Sequence, residues 1–407
     1  MKQAIYSIIF LVFVFIFTVV SVFAQIQVST LVEEIDASGG VKVDAYGNVV
    51  VADFGEALDN ANGKNVWKVT PEGEVSLFAT GLFGASGNAF DSKGNLFQSS
   101  IGTGTVSKIT PDGNLSFFAT SGISCNVGIA IDPDDNLYVC NCCGNFVNTI
   151  RKVTPTGTSS LFASGDLFSC PNGITIDKDN NLYVSNFGNG NIIKITPAGT
   201  ISLFAQTPGT AFSVASNGHI TYSPQEDVLY VASHSTHNIY RLEMDGTIEI
   251  FAGSSQRGNE DGAALEATFS RPNGLALSHT GDTLYVNSSI PTTDAGGRPL
   301  NPSKVRMITG LLHSTSIDKD LAANFAVKIS PNPAKNVVQI AFEKMPQSPF
   351  SVKLLNASGQ LVKSIFAGQK PLSQEFIEVD LKEMTHGLYY VQFEVGNRSF
   401  IRKVILQ

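Results

Sequence analysis

The chain is 407 residues long, 43% hydrophobic and only 15% charged, with 37 Gly, 27 Phe and a formal charge of −8. So few charges exclude a disordered or coiled-coil protein, and the acidic balance excludes a nucleic-acid-coating one, which needs Lys and Arg in excess. At roughly 100–200 residues per domain, the length predicts two or three domains.

Met1-Lys2-Gln3 leads into an apolar run from Ile5 to Val20, followed by Ser21-Val22-Phe23-Ala24-Gln25. Small and aliphatic residues stand where a signal peptidase reads, so residues 1–24 read as a signal peptide cut between Ala24 and Gln25. The run almost reaches bilayer length, which makes a retained anchor the competing reading. No second apolar run of that length follows, so the mature chain is expected to carry no transmembrane segment.

From residue 26 an internal repeat takes over. Val66-Trp67-Lys68-Val69-Thr70-Pro71-Glu72-Gly73-Glu74-Val75-Ser76-Leu77-Phe78-Ala79 returns from Val106, Ile150, Ile192 and Ile239, with a truncated copy from Val305. Two short strand-like runs flank Thr-Pro-x-Gly, where Pro presets φ and Gly suits the fourth turn position, so each copy is a hairpin. A second strand-turn-strand pattern precedes each, beginning at Gly40, Gly87, Gly128, Gly173, His219 and Gly274. Each unit is therefore a four-stranded meander. Thr70, Thr110, Thr154 and Thr196 follow one another at 40, 44 and 42 residues, a propeller-blade period. Six such sheets predict an all-β fold, a six-bladed β-propeller over residues 25–312. The sixth copy lacks its outermost strand, and the orphan run Ile26–Val32 is expected to supply it and close the ring.

The stretch Phe251–Ser288 carries a Gly-rich loop, Asp261-Gly262, Ala267-Thr268-Phe269 and Pro272-Asn273-Gly274. It resembles the NHL-repeat propellers, and more distantly the gluconolactonase-like six-bladed propellers. The resemblance implies the fold strongly and activity weakly, since propellers host binding modules, lyases and lactonases alike.

The five cysteines lie between residues 125 and 170. Cys125 and Cys170 each stand three residues before an innermost strand, while Cys142 and Cys143 end the second strand of blade three. In an antiparallel meander these ends share one face, so two disulfides among the four are expected in an oxidising compartment, with the pairing left open. Cys140 takes a small-residue position and reads as a buried thiol. A Cys-x-Cys-Cys metal cluster is the sharper alternative, but zinc-finger spacing is not met.

On the same face lie candidate ligand or metal residues Asn172, Asn273, His219, His234 and His237. The gluconolactonase resemblance implies Ca2+ on an Asn in this Asn-Gly context. Its carboxylate partners are missing, for the positions equivalent to Asn172 are Gly39, Ser86, Val127 and Gly218. The three imidazoles make Zn2+ the other candidate cofactor. Against both stands the simpler reading that Asn-Gly turns the chain and His237 serves the NHL pattern. The loop Asp53–Asn65 has oxygen ligands enough for Ca2+ but no ordered spacing, and reads as an acidic solvated loop. No phosphate loop, dinucleotide fingerprint or Gly-x-Ser-x-Gly elbow occurs.

Residues 313–325 are polar and turn-prone, a linker. Residues 326–407 alternate again as short strands bounded by Pro-Asn-Pro, Ser-Gly and His-Gly turns, a small β-sandwich. This segment carries net +4 against −13 for residues 25–325, as two independent units would. Ser330-Pro331-Asn332-Pro333-Ala334, Gly387-Leu388-Tyr389-Tyr390-Val391 and the basic finish Arg402-Lys403-Val404 resemble the C-terminal sorting domain of type IX secretion substrates. That resemblance implies recognition by the outer-membrane translocon and delivery to the surface or exterior of a Bacteroidetes-like bacterium. The function expected is a secreted or cell-surface recognition module for an extracellular protein or glycan. The alternative is a metal-dependent lactonase- or lyase-like enzyme with its site at the channel mouth.

Overall fold

The computed structural model describes residues 26–142, 148–208, 216–293, 298–311, 327–342, 350–356, 361–368, 376–382, 384–395 and 398–406. The signal segment with Ala24 and Gln25, Cys143 and the linker 313–325 lie outside the described residues. No helix among them is long and apolar enough to cross a membrane.

The repeat becomes six antiparallel sheets. Blade one pairs Val41–Val43, Val49–Ala52, Asn65–Val69 and Val75–Thr80 in sequence order, and blades two to five repeat this over 85–119, 126–164, 171–206 and 217–252. Turn chemistry sets the hairpins. Gly73, Gly113, Gly157, Gly199 and Gly246 all take φ between 83° and 91°, a region open to glycine at no steric cost. At the first hairpin of blades one to four, Asp44, Asp91, Asp132 and Asp177 each accept two backbone N–H groups within their own turn.

The innermost strands meet around the axis through a collar of glycines. A Cβ added at Gly40, Gly87, Gly128, Gly173 or Gly274 would lie 2.2–2.8 Å from an atom of the following blade. Only glycine permits that approach, and blade five alone departs from it, with His219. The second strands of alternate blades then tie to their neighbours: Ser99 Oγ donates to the Val127 carbonyl at 2.6 Å and Ser185 Oγ to that of Gly218 at 2.7 Å. Asn287 Nδ2 donates to the Ala37 and Gly39 carbonyls at 2.6 and 2.8 Å, joining blade six to blade one.

Blade six closes as the sequence predicts. Leu275–Leu277, Thr283–Ser289 and Ser303–Thr309 form its inner strands, and Gln27–Ile35 is antiparallel to Ser303–Thr309, pairing Gln27 with Thr309 and Ile35 with Ser303. The NHL-like stretch is the latch of this closure. Asp261 accepts hydrogen bonds from Thr30 N–H and Oγ1, and its Oδ1 lies 2.6 Å from Nη2 of the fully buried Arg306. The guanidinium also donates to the Thr268 and Glu260 carbonyls and stacks on Phe269 at 4.6 Å.

The C-terminal strands form two smaller sheets. One orders Val327–Ser330, Val337–Phe342 and Phe376–Asp380; the other orders Leu361–Gly368, Phe350–Asn356, Gly387–Val395 and Arg398–Leu406. Val338, Ile340 and Val379 of the first share one buried core with Val352, Leu354, Val391 and Phe393 of the second, a sandwich. The Ser-Pro-Asn-Pro-Ala motif anchors its final strand: Asn332 Oδ1 accepts Ile405 N–H at 2.9 Å, and Ala334 N–H donates to the Ile405 carbonyl at 2.7 Å. Tyr389 is buried, its hydroxyl donating to the Thr385 carbonyl at 2.8 Å.

Candidate functional site

The mouth of the propeller lies where innermost strands begin and second strands end. Asn172 and Asn273 occupy equivalent positions just before the glycine collar. Their amides are engaged in holding blades together: Asn172 Nδ2 donates to the Asn217 carbonyl at 3.1 Å and Asn273 Nδ2 to that of Ser38 at 2.6 Å. Asn273 Oδ1 meets His234 Nε2 at 3.1 Å, and the His234 ring lies edge-on to Phe187, centroids 5.5 Å apart. His219, in the collar itself, is only 9% exposed. Among the described residues its Nε2 and the Nδ1 of His234 meet no hydrogen-bond partner.

His237 sits apart in role. It takes a left-handed φ of 59°, and its Nδ1 accepts the backbone N–H of Arg271, so it shapes the loop into blade six. Arg271 is itself buried and donates to the Pro299 carbonyl at 3.1 Å.

Residues not singled out in the sequence reach this region, among them Lys42, Arg271 and Arg298. Lys42 stands two residues past the collar glycine of blade one, where the other blades carry Ala89, Ala130, Thr175, Thr221 and Ala276. That comparison of aligned repeats was the available signal, a charge at a position otherwise small.

The electrostatics follow from burial. Desolvation pushes His219 down to about 3, helped by the Lys42 and His234 charges, and pushes Lys42 down to about 8. Burial holds His234 at about 4 against the support of Asn273, with Arg271, His237 and Arg298 adding to the depression. Both imidazoles are therefore neutral at pH 7. Because their folded values lie below the ordinary 6.5, their stabilising contribution is complete above pH 6.5 and is lost as pH falls through 4 toward 3. Each then removes roughly 1.4 kcal/mol per pH unit below its unfolded value. The expected result is a melting temperature that drops on acidification, with a shallower slope in His219→Gln, measured by scanning calorimetry from pH 7 to 4.

These residues do not offer Ca2+ a site. Ca2+ needs charged oxygens, and the mouth gathers Lys42, Arg271 and Arg298 around neutral imidazoles and engaged amides. Among the described residues no group of three His, Cys, Asp or Glu could hold a metal ion. The Asp53–Asn65 loop is also less solvated than its composition implies. Asp53 is 7% exposed, accepts from Asn301 Nδ2 at 2.8 Å, and is pushed up to about 6 by burial. Leu58 N–H donates to the Arg298 carbonyl, so the loop clasps blade six.

Of the cysteines, Cys142 and Cys170 form a disulfide that staples blade three to blade four. Of the two bonds expected, this is the one found among the described residues. Cys125 carries the carbonyl that accepts Cys142 N–H. Cys140 is a buried free thiol, pushed well above the usual thiol range by desolvation. Closing a loop of 28 residues stabilises by about 3.5 kcal/mol in the chain-entropy limit. Cys142→Ser is expected to melt roughly 5–10 °C lower, and dithiothreitol to produce the same shift only in the wild type.

The six radial sheets define a six-bladed β-propeller. The chain belongs to the virginiamycin B lyase family, whose profile matches residues 42–268. Residues 328–407 match the secretion system C-terminal sorting domain, which marks the chain for export by the type IX system to the cell surface or extracellular space. A gluconolactonase of Xanthomonas campestris is similar in structure, with 15% identity, TM-score 0.52, and coverage of 70% of this chain and 90% of that one. So is a Bacteroides thetaiotaomicron protein of unknown function, with 16% identity, TM-score 0.54, and coverage of 70% and 76%. At such identities the likeness speaks for the fold alone. No curated protein matches the sequence.

Proposed function

We propose that the protein is an extracellular binding module which takes its ligand at the axial mouth of the propeller. The observation that carries this reading is the chemistry of the mouth. Neutral His219 and His234 and the charges of Lys42, Arg271 and Arg298 gather there, while Asn172 and Asn273 are held by neighbouring blades. Such a set offers N–H donors and positive charge, and suits an acidic glycan or an acidic protein segment. A glycan array followed by calorimetric titration of each hit against wild type and His234→Ala tests it. Binding lost at least tenfold in the variant supports the reading, whereas binding indifferent to His234 removes it.

A second reading is favoured by the family match: a lyase- or lactonase-like enzyme working at the same mouth. Turnover of virginiamycin B or of gluconolactone by the mature protein, with or without added Ca2+ or Zn2+, would replace the binding reading.

The signal segment at residues 1–24 and the sorting domain together support a two-step route, first into the periplasm and then across the outer membrane. Deleting residues 326–407 is expected to strand the propeller in the periplasm. Cell fractionation checks this, and a truncated chain that still reaches the medium would refute it.

A further inference from the structure

The end of the ring opposite the mouth carries a hollow that the binding reading leaves unused. It lies where innermost strands end and second strands begin, and has a volume of about 460 Å3. Its floor is apolar. Phe90, Ile131 and Ile176 are the last residues of the innermost strands of blades two, three and four, and each is only partly buried. The turns that follow these strands form its walls, and they carry Asp91, Asp132, Asp135 and Asp177.

Counter-charge is scarce there. Lys152 stands 3.7 Å from Asp132, and Lys178 is turned to Asp227 of blade five at 2.5 Å. Among the described residues Asp91, Asp135 and Asp177 form no ion pair, although Asp177 is only 7% exposed. Neutral donors fix these carboxylates in place without cancelling their charge. Asp91 and Asp177 accept backbone N–H groups of their own turns, and Asp135 accepts Ser92 N–H and Oγ at 2.9 and 2.7 Å, which joins blade three to blade two.

This arrangement selects a ligand by its chemistry. The carboxylates are spread over three blades, and among the described residues no three acidic groups converge as a metal ion requires. A compact cation therefore cannot serve them together. Between them lies apolar surface, which stabilises methylene groups at about 25 cal/mol per Å2 buried. Ionised carboxylates only accept hydrogen bonds, and Lys178 and Ser92 direct their donors to Asp227 and Asp135. A peptide would bring backbone carbonyls against those acceptors; an amine brings donors alone.

We propose that the hollow binds a linear aliphatic polyamine, with its ammonium groups on Asp91, Asp135 and Asp177 and its methylene chain across Phe90, Ile131 and Ile176. The volume falls within the roughly 300–1,000 Å3 of small-molecule sites. The site is separate from the mouth and stands whether or not the mouth takes a ligand.

Spermidine is the probe, titrated calorimetrically into the mature full chain at low and at physiological salt. One molecule per chain is expected to bind, less tightly in more salt, while octanediol, an uncharged chain of similar length, gives no heat. Asp91→Asn combined with Asp177→Asn keeps an acceptor oxygen for each turn and removes two charges, so binding should weaken roughly tenfold or more. Ile131→Lys sets an ammonium in the hollow and should abolish binding. His234→Ala, at the opposite end of the ring, should bind spermidine as the wild type does. If the double variant fails to fold, the wild-type titration and Ile131→Lys still decide. Absence of saturable binding overturns the proposal, as does equal binding by wild type and variants, which would be diffuse attraction to an acidic chain. A trilysine peptide that binds more tightly than spermidine, and is lost in the same variants, overturns it in favour of a basic protein segment.

Discussion

Removing residues 26–36 is expected to abolish the cooperative melt of the propeller. The segment supplies the fourth strand of blade six, hydrogen-bonded along Ser303–Thr309, and buries Val28, Val32 and Ile35 to 2%, 7% and 7% exposure. Three such side chains are worth about 5–9 kcal/mol by area, against a total domain stability of about 5–15 kcal/mol. The deletion also bares the edge of Ser303–Thr309 and takes Thr30 away from Asp261. An exposed apolar edge invites pairing between chains, so aggregation on purification should accompany the loss. Circular dichroism melts of the two forms decide the matter: an unchanged transition in the truncated chain would mean that the ring does not depend on its N-terminal strand.

Arg306→Ala is expected to be the most damaging single substitution. Its side chain is fully buried and joins four partners from the latch: Asp261, the Thr268 and Glu260 carbonyls, and the Phe269 ring. Breaking a buried, hydrogen-bonded ion pair costs about 3–5 kcal/mol, because the partners lose their donors and a cavity remains. In a domain this large that corresponds to a drop of about 6–15 °C. Arg306→Lys should fall between, since an ammonium keeps the charge but not the planar fork that serves carbonyl and carboxylate together. Asp261 is 42% exposed on its side chain, so Asp261→Asn is expected to cost less than Arg306→Ala. Equal losses in the two variants would show that the carboxylate, rather than the buried guanidinium, carries the latch.

The repeat made the architecture legible because each of its signals is local. Thr-Pro-x-Gly, present in four copies, specifies a hairpin within four residues, and alternation specifies a strand within six, so the six copies of the repeat declare six sheets before any contact is known. The N-terminal strand was legible by subtraction: blade six was one strand short and the run 26–32 was one strand too many. The NHL-like stretch was read as a family signature, and the structure gives its physical content, with Asp261 and Phe269 as the seat of Arg306.

The candidate site was less legible. Strand polarity dictates which strand ends coincide, and so suggests a common face for Asn172, Asn273, His219 and His234. Their roles were not fixed by that placement. An Asn beside a channel reads equally as a ligand or a strut, and the choice is made by the Asn217 and Ser38 carbonyls of the following blades. The cysteines behave alike: their common face followed from spacing, while the Cys142–Cys170 partnership depends on how blade four turns against blade three.

By itself, then, the amino-acid sequence determined the number of blades, the turn at each hairpin, the closing strand and the sorting domain that follows. These rest on short-range backbone preferences repeated often enough to be unmistakable. Only the tertiary structure decided that His234 meets Asn273, that the asparagines brace the ring, and that Arg306 is sealed inside its latch. Each of those depends on residues of different blades brought together when the circle closes, and separation along the chain carries no record of distance across it.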